Sequence, residues 1–141
     1  MRRFAMLSAL ALVLSTPLSA QTQAPAQKAR FIPPVKGTAS IEVMQSTPKR
    51  VGGDMVTLVK VRNTSKGSIN LLKIDEYWYD ASRPVQIVSS SQYAHRKAPI
   101  LPNDVVEITV KSPYHAKMRQ NQMMFTHANG TVDAKAVKAF K

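Results

Sequence analysis

The sequence predicts an all-β domain over residues 38–141, arranged as an immunoglobulin-like antiparallel β-sandwich of about seven strands. From Thr38 onward, short runs that alternate apolar and polar residues are separated by turn residues, which is typical of half-buried strands. About seven strands at this spacing in about 100 residues match the sandwich architecture. Helix is nearly absent outside the first twenty residues.

The first twenty residues predict a cleavable secretory signal peptide. Arg2 and Arg3 form a positive region, residues 4–14 are almost uninterruptedly apolar, and residues 18–20 (Leu-Ser-Ala) offer a small-residue cleavage site. The apolar run of about eleven residues is too short for a bilayer core of about 30 Å. We therefore expect a periplasmic or secreted protein with no transmembrane anchor after signal cleavage.

Residues 21–37 predict a flexible linker, because they are rich in Gln, Ala, Pro and Lys and show no apolar period. Pro33 and Pro34 favour polyproline II there. Phe31 and Ile32 are the exception, and they either dock onto the folded domain or lie exposed.

The alternation predicts strands at residues 40–45, 55–62, 69–79, 85–93, 105–111, 122–127 and 131–140. Asn129-Gly130 is the strongest hairpin signal in the chain. Residues 113–121 are polar and predict either a loop or one helical turn.

The longest predicted strand places Trp78 in phase with Leu72 and Ile74, so Trp78 is predicted to be the central aromatic residue of the core. Glu76 shares this phase. Either a bulge turns Glu76 outward, or Glu76 pairs with a basic residue at the edge of the sandwich.

Tyr77, Tyr79 and Asp80 are predicted to lie outside the core. Tyr77 and Tyr79 point away from the core, and one alternative for them is an aromatic ledge that stacks on sugars. Asp80 follows the strand and is predicted to cap the next turn through its own side chain.

Residues 59–110 resemble the FxLYD family of bacterial exported domains. The matching pieces are residues 61–65 (VRNTS), 78–80 (WYD) and 100–104 (ILPND). The resemblance implies an immunoglobulin-like sandwich that acts as an accessory or interaction module without known catalytic residues. Trp78 stands at the family's Leu position, Glu76 replaces its leading Phe, and Asn103-Asp104 replaces a Pro-Gly type turn.

The charge balance indicates either a solvated basic surface that keeps the protein in solution or an attraction to an anionic partner. With residues 1–20 removed, 18 basic and 8 acidic residues remain, a net charge of +10. For an exported protein we expect no nucleic-acid partner, and we expect an envelope protein or an anionic envelope component instead. The chain has no cysteine, so its stability comes from the core without disulfides.

No pattern in the sequence predicts a catalytic residue or a cofactor, and we do not expect an enzyme. The run at residues 89–91 (Ser-Ser-Ser) lacks a nucleophile elbow and is predicted to be solvated surface. Asp75 and Glu76 are adjacent on a strand, so they face opposite sides and cannot act as a pair.

One cluster predicts an alternative function as a periplasmic Cu(I)-binding protein. Five residues that carry thioether or imidazole groups fall within a segment of thirteen, and His95 lies upstream; the five are His115, Met118, Met123, Met124 and His127. These groups are soft enough to suit Cu(I). Methionine is also a common core residue, so packing of Met123 or Met124 in the interior is the other interpretation. The main expectation remains a non-enzymatic interaction module.

Overall fold

The computed structural model describes residues 31–141, which form eight β-strands and no helix. The all-β class is therefore confirmed. The strands are β1 (Ala39–Gln45), β2 (Lys49–Val51), β3 (Asp54–Asn63), β4 (Lys73–Tyr79), β5 (Ile87–Ala94), β6 (Val105–Pro113), β7 (Gln120–His127) and β8 (Gly130–Ala136).

All eight strands belong to one continuous sheet. β3 pairs with β6 along one edge and with β1 and β2 along the other, always antiparallel. β1 pairs with β8, β8 with β7, β7 with β4, and β4 with β5. The sheet curls into a half-barrel, so the predicted immunoglobulin-like sandwich of two separate sheets is not confirmed.

The strand β8 makes the sheet continuous because it pairs on both sides. Asn129-Gly130 joins β7 to β8 in the predicted hairpin, but this ladder holds only Thr126 opposite Thr131 and His127 opposite Gly130. β8 then runs parallel to β1, from Ala39 opposite Val132 onward. Parallel pairing between distant strands leaves no local sequence signal, and the sequence did not predict it.

The interior of the half-barrel holds the apolar core. Alternate residues of the strands point inward, and each large aliphatic side chain buried there contributes about 1.5–3 kcal/mol. The fully buried aliphatic residues include Ile41, Val59, Val61, Ile69, Leu72, Ile74, Ile100, Ile108 and Val110.

Three strand predictions differ clearly from the structure: one start, one missed strand and one end, since the strand predicted to run to residue 140 ends at Ala136. The strand predicted from residue 69 begins only at Lys73, because Leu71 has a φ of 49°, which is incompatible with extended backbone. Ile69 instead forms an isolated bridge with Ile100. The sequence also missed β2, whose three residues are all exposed and so show no alternation.

The described end of the predicted linker lies against the domain. The Val35 amide donates to the Ser68 carbonyl at 2.9 Å, and the Ser68 amide donates to the Pro33 carbonyl at 3.0 Å. The Val35 side chain packs on the core, whereas Phe31 is 83% exposed. Residues Phe31–Lys141 form one compact unit. The predicted signal peptide and residues 21–30 lie outside the described residues.

The two ends of the curled sheet, β5 and β6, meet through side chains. The Ser89 hydroxyl donates to the Pro113 carbonyl at 2.6 Å, and the Ser91 and Ser112 hydroxyls lie 2.7 Å apart. Within residues 31–141 no backbone ladder joins these two strands. The prediction that the serine run is solvated surface is correct for the exposed Ser90 and wrong for its half-buried neighbours.

Candidate functional site

Glu76 lies at the centre of a buried polar network. Its side chain is fully buried on the inner face of β4. The Thr57 hydroxyl donates to Glu76 Oε1 at 3.0 Å, the Asn121 amide donates to the same oxygen at 3.0 Å, and the Ser112 hydroxyl donates to Oε2. These three donors satisfy the carboxylate without a cation. The Ser91 hydroxyl in turn lies 2.7 Å from the Ser112 hydroxyl. Both sequence-based expectations for Glu76, an outward turn or a basic partner, are wrong.

This network is part of the core rather than an open site. Glu76 lines none of five surface cavities found on residues 31–141. Its neighbour on the same face of β4, Trp78, is 5% exposed, which confirms the predicted burial. The network therefore ties β4 to β3, β6 and β7 and serves stability.

The first two residues of the predicted copper site lie in the loop between β6 and β7. The His115 amide donates to Met118 Sδ at 3.5 Å, and the Lys117 amide donates to His115 Nδ1 at 3.2 Å. Met118 is buried, so its thioether already packs inside the domain and caps its own loop.

The other three predicted ligands follow along β7 and point to different places. Met123 packs against the core, whereas Met124 is 53% exposed on the outer face. His127 is buried at the end of the strand, where its Nε2 lies 2.8 Å from the Gly37 carbonyl and its Nδ1 lies 3.4 Å from the Asn129 amide. Since a carbonyl only accepts and an amide N–H only donates, Nε2 carries the proton and Nδ1 accepts. Both ring nitrogens of His127 are thus engaged.

The structure does not bring the five residues together. Met123 and His127 lie four positions apart on β7, about 14 Å at about 3.4 Å per residue, and Met124 points to the opposite face from Met123. His95, the upstream residue, is buried after β5. Across residues 31–141 no three His, Asp or Glu side chains converge on a point suited to a metal ion. Copper binding stays a prediction.

Asp80 caps the turn after β4, as predicted. Its Oδ1 accepts from the Ser82 hydroxyl at 2.6 Å, from the Ser82 amide at 3.1 Å and from the Gln86 amide at 3.0 Å. The hydrogen bond from the Ser82 side chain, followed by that from the Gln86 backbone, lowers the pKa of Asp80 below its usual 3.8.

A polar cavity lies on the outer face of the sheet, and we call it the sheet-face cavity. Its volume is about 570 Å³, and it is lined by Lys73, Asp75, Gln92, Tyr93, Ala94, Arg96 and Thr126. These residues come from β4, β5 and β7 and from the turn after β5. Two cations and one carboxylate make this cavity electropositive.

Tyr77 and Tyr79 lie on the same outer face as this cavity. They alternate with the buried Glu76 and Trp78, and both are half-buried. The Tyr79 hydroxyl donates to Gln122 Oε1 at 3.2 Å, which leaves the Gln122 amide nitrogen to donate outward. The predicted outward orientation of the two tyrosines is confirmed.

A second basic cavity, which we call the tail cavity, lies beside β8. Its volume is about 390 Å³, and it is lined by Glu42, Lys135, Val137, Lys138, Ala139 and Lys141. Glu42 is already paired with Arg62, whose guanidinium also contacts the Lys141 backbone oxygen and the Phe140 ring. The three lysines therefore dominate the charge of this cavity.

Most cations on the described residues have no acidic partner. Of the 20 Lys and Arg, four precede Phe31, which leaves 16 against 8 Asp and Glu, a net charge of +8. Within residues 31–141 only Lys60 with Glu107 and Arg62 with Glu42 form ion pairs. The surface can therefore hold anions without first breaking internal salt bridges.

Comparison of the chain with protein families, curated proteins and solved structures finds no match. Residues 31–141 contain no helix that could cross a membrane. The function is therefore inferred from the cavities and from the charged side chains that line them.

Sequence reasoning missed the sheet-face cavity. Lys73 and Arg96 are 23 positions apart, and only the pairing of β4 with β5, which sets Lys73 opposite Ala94, brings them together. The sequence held one signal for this cavity, because Lys73, Asp75 and Tyr77 alternate along one strand and therefore share its outward-facing side.

Proposed function

We propose that this protein is a non-enzymatic interaction module that binds an anionic component of the bacterial envelope. The observation that carries the proposal is the excess of unpaired cations on residues 31–141, several of which line the sheet-face cavity and the tail cavity. Such a surface attracts phosphate and carboxylate groups over a distance of about the Debye length.

The envelope setting rests on the predicted signal peptide of residues 1–20, and so does the periplasmic or secreted location. An accessory role is also what the resemblance to FxLYD domains implies. That resemblance, together with the immunoglobulin-like arrangement, stays a prediction.

The tail cavity supports a direct contact with an anionic surface. Lys135, Lys138 and Lys141 surround one opening, and each lysine near an anionic lipid surface contributes about 1 kcal/mol of binding free energy. The aromatic contact of Phe140 with Arg62 fixes the backbone between the last two lysines.

The test is co-sedimentation of the purified protein with vesicles of phosphatidylglycerol and phosphatidylcholine, and with lipopolysaccharide. We expect binding that weakens as NaCl rises from about 0.15 M to about 1 M, because the screening length falls from about 8 Å to about 3 Å. Vesicles of phosphatidylcholine alone serve as the neutral control.

A triple variant, Lys135→Gln, Lys138→Gln and Lys141→Gln, should weaken vesicle binding by about 100-fold. The matched control is the double variant Lys60→Gln and Glu107→Gln, which removes an ion pair and leaves the net charge unchanged. Equal binding to neutral and anionic vesicles, or no response to salt, would overturn the proposal. A tight complex with one equivalent of Cu(I) that is lost on changing Met118 and Met124 would favour the alternative function.

A further inference from the structure

The outer face of β5, β4 and β7, which we call the glycan face, is mostly polar. Its rows across the three strands are Ala94–Lys73–Thr126, Gln92–Asp75–Met124 and Ser90–Tyr77–Gln122. Within these rows all but Ala94 and Met124 carry a polar group, and the next row, at Tyr79, adds the exposed Ile87 and the polar Gln120. A face of this composition offers many hydrogen-bonding groups to a hydrated ligand.

An aromatic ring stands in the middle of this polar surface. Tyr77 is half-buried between the exposed side chains of Ser90 and Gln122, and Tyr79 lies two positions further along the same strand. The two tyrosines are spaced by about 7 Å along β4, at about 3.4 Å per residue. A tyrosine presents an apolar ring with a polar tip, which fits a ligand that has an apolar C–H face and a rim of hydroxyl groups.

Side chains that can form hydrogen bonds lie next to Tyr77 on β4 and on the two strands paired with it. Gln122 accepts from Tyr79 through Oε1, so its amide nitrogen is directed to donate. Asp75 supplies two acceptor oxygens beside it, and Gln92 supplies both a donor and an acceptor. A sugar hydroxyl group both donates and accepts hydrogen bonds, so side chains that offer donors beside acceptors can bind it.

The sheet-face cavity adds charge to one end of this surface. Lys73 and Arg96 line it, no salt bridge within residues 31–141 engages either of them, and Asp75 is its only carboxylate. The volume of about 570 Å³ falls within the about 300–1,000 Å³ that is usual for small-ligand sites. Its polar lining favours an anionic, hydrated group over an apolar one.

We propose that the glycan face binds an acidic glycan, a chain of sugars that carries carboxylate or phosphate groups. One sugar ring stacks on Tyr77, its hydroxyl groups bond with Gln122 and Asp75, and the acidic group of a neighbouring sugar enters the cavity beside Lys73 and Arg96. This inference rests on the proposed function and specifies the chemical class of the anionic ligand and the place where it binds.

The test measures the affinity of the purified protein for four probes by isothermal titration calorimetry: polygalacturonate, dextran, polyglutamate and phosphatidylglycerol vesicles. Polygalacturonate has both sugar and charge, dextran has sugar alone, and the last two have charge alone. We expect polygalacturonate to bind most tightly. Tyr77→Ala should weaken that binding by about tenfold and leave binding of polyglutamate unchanged.

Further variants separate stacking from folding and from total charge. Tyr77→Phe keeps the ring and should bind nearly as the parent does, whereas Tyr114→Ala removes a tyrosine that contacts Arg50 elsewhere and should have no effect. Gln122→Ala, at an exposed position, should weaken polygalacturonate binding even if Tyr77→Ala fails to fold. Lys73→Gln should weaken it more than Lys49→Gln, which removes an equal charge from β2.

The outcomes distinguish the two proposals. If polyglutamate and polygalacturonate bind equally and Lys73→Gln acts no more strongly than Lys49→Gln, the acidic-glycan site is refuted while the general anion-binding function stands. If vesicles bind but polygalacturonate does not, the site is refuted in the same way. If no anionic probe binds, both proposals fail.

Discussion

The hydroxyl of Thr57 donates a hydrogen bond of 3.0 Å to the buried carboxylate of Glu76, across the interior of the half-barrel. Thr57 lies on β3 and Glu76 on β4, two strands that do not pair with each other. Ser112 of β6 donates to the other carboxylate oxygen. The curl of the sheet is therefore held by a polar contact between opposite walls as well as by the apolar core.

Removing the Glu76 carboxylate should strongly destabilise the fold. Glu76→Ala leaves Thr57, Ser112 and Asn121 without an acceptor, and each buried unsatisfied group costs about 1–3 kcal/mol. We expect the free energy of unfolding in urea to fall by at least about 3 kcal/mol. Glu107→Ala is the control, since its exposed ion pair with Lys60 contributes about 0–1 kcal/mol. Equal losses in the two variants would refute a structural role for the network.

Trp78 provides an internal probe of the core because it is the only tryptophan. Its burial predicts fluorescence emission shifted to the blue of exposed indole and resistant to quenching by acrylamide. Trp78→Ala should lower the free energy of unfolding by about 3–5 kcal/mol. Trp78→Phe should cost less, since the indole nitrogen has no hydrogen-bond partner to lose. Emission typical of exposed indole in the native protein would contradict this placement.

Gly130 should not tolerate a side chain. A Cβ atom there would lie 2.1 Å from the Gly37 carbonyl oxygen, and the φ of 153° is unfavourable for other residues. Gly130→Ala should therefore lower the urea midpoint, at a cost of about 1–3 kcal/mol for the backbone strain alone. The control is Gly53→Ala, where the added Cβ meets nothing within 4 Å. A variant at Gly130 as stable as the one at Gly53 would disprove the close approach of the hairpin to residue 37.

The turn at Asp80 should show a carboxyl group that titrates below its usual range. The Ser82 hydroxyl and the Gln86 amide hold the pKa of Asp80 below 3.8. Because the folded-state pKa is depressed, this turn stabilises the fold at pH values above 3.8, and the contribution is lost as pH falls through the folded-state pKa. NMR titration of the Asp80 carboxyl carbon measures this pKa directly. Ser82→Ala should raise the pKa toward 3.8, and an unchanged midpoint would show that the hydrogen bond has no effect.

The sequence by itself determined where most of the strands lie and which side chains of a strand share a face. The alternation predicted most strands to within a few residues, together with the burial of Trp78, the hairpin at Asn129-Gly130 and the turn capped by Asp80. These features are local, because the period of two reports whether a side chain meets solvent, and turn residues act on their own backbone.

Only the tertiary structure decided which strands are neighbours, and with that the partners of Glu76 and the lining of the sheet-face cavity. Thr57, Ser112 and Asn121 lie 19, 36 and 45 positions from Glu76. The alternation placed the Glu76 side chain on the core side of its strand, but it did not show which groups would donate hydrogen bonds to its carboxylate. The sequence predicted a sandwich, which is not confirmed; in the structure β8 pairs with both β7 and β1, and all eight strands form one curled sheet. An alternating pattern shows whether each side chain faces the core or the solvent, but it does not show which strands pair. Strand pairing is set by long-range packing.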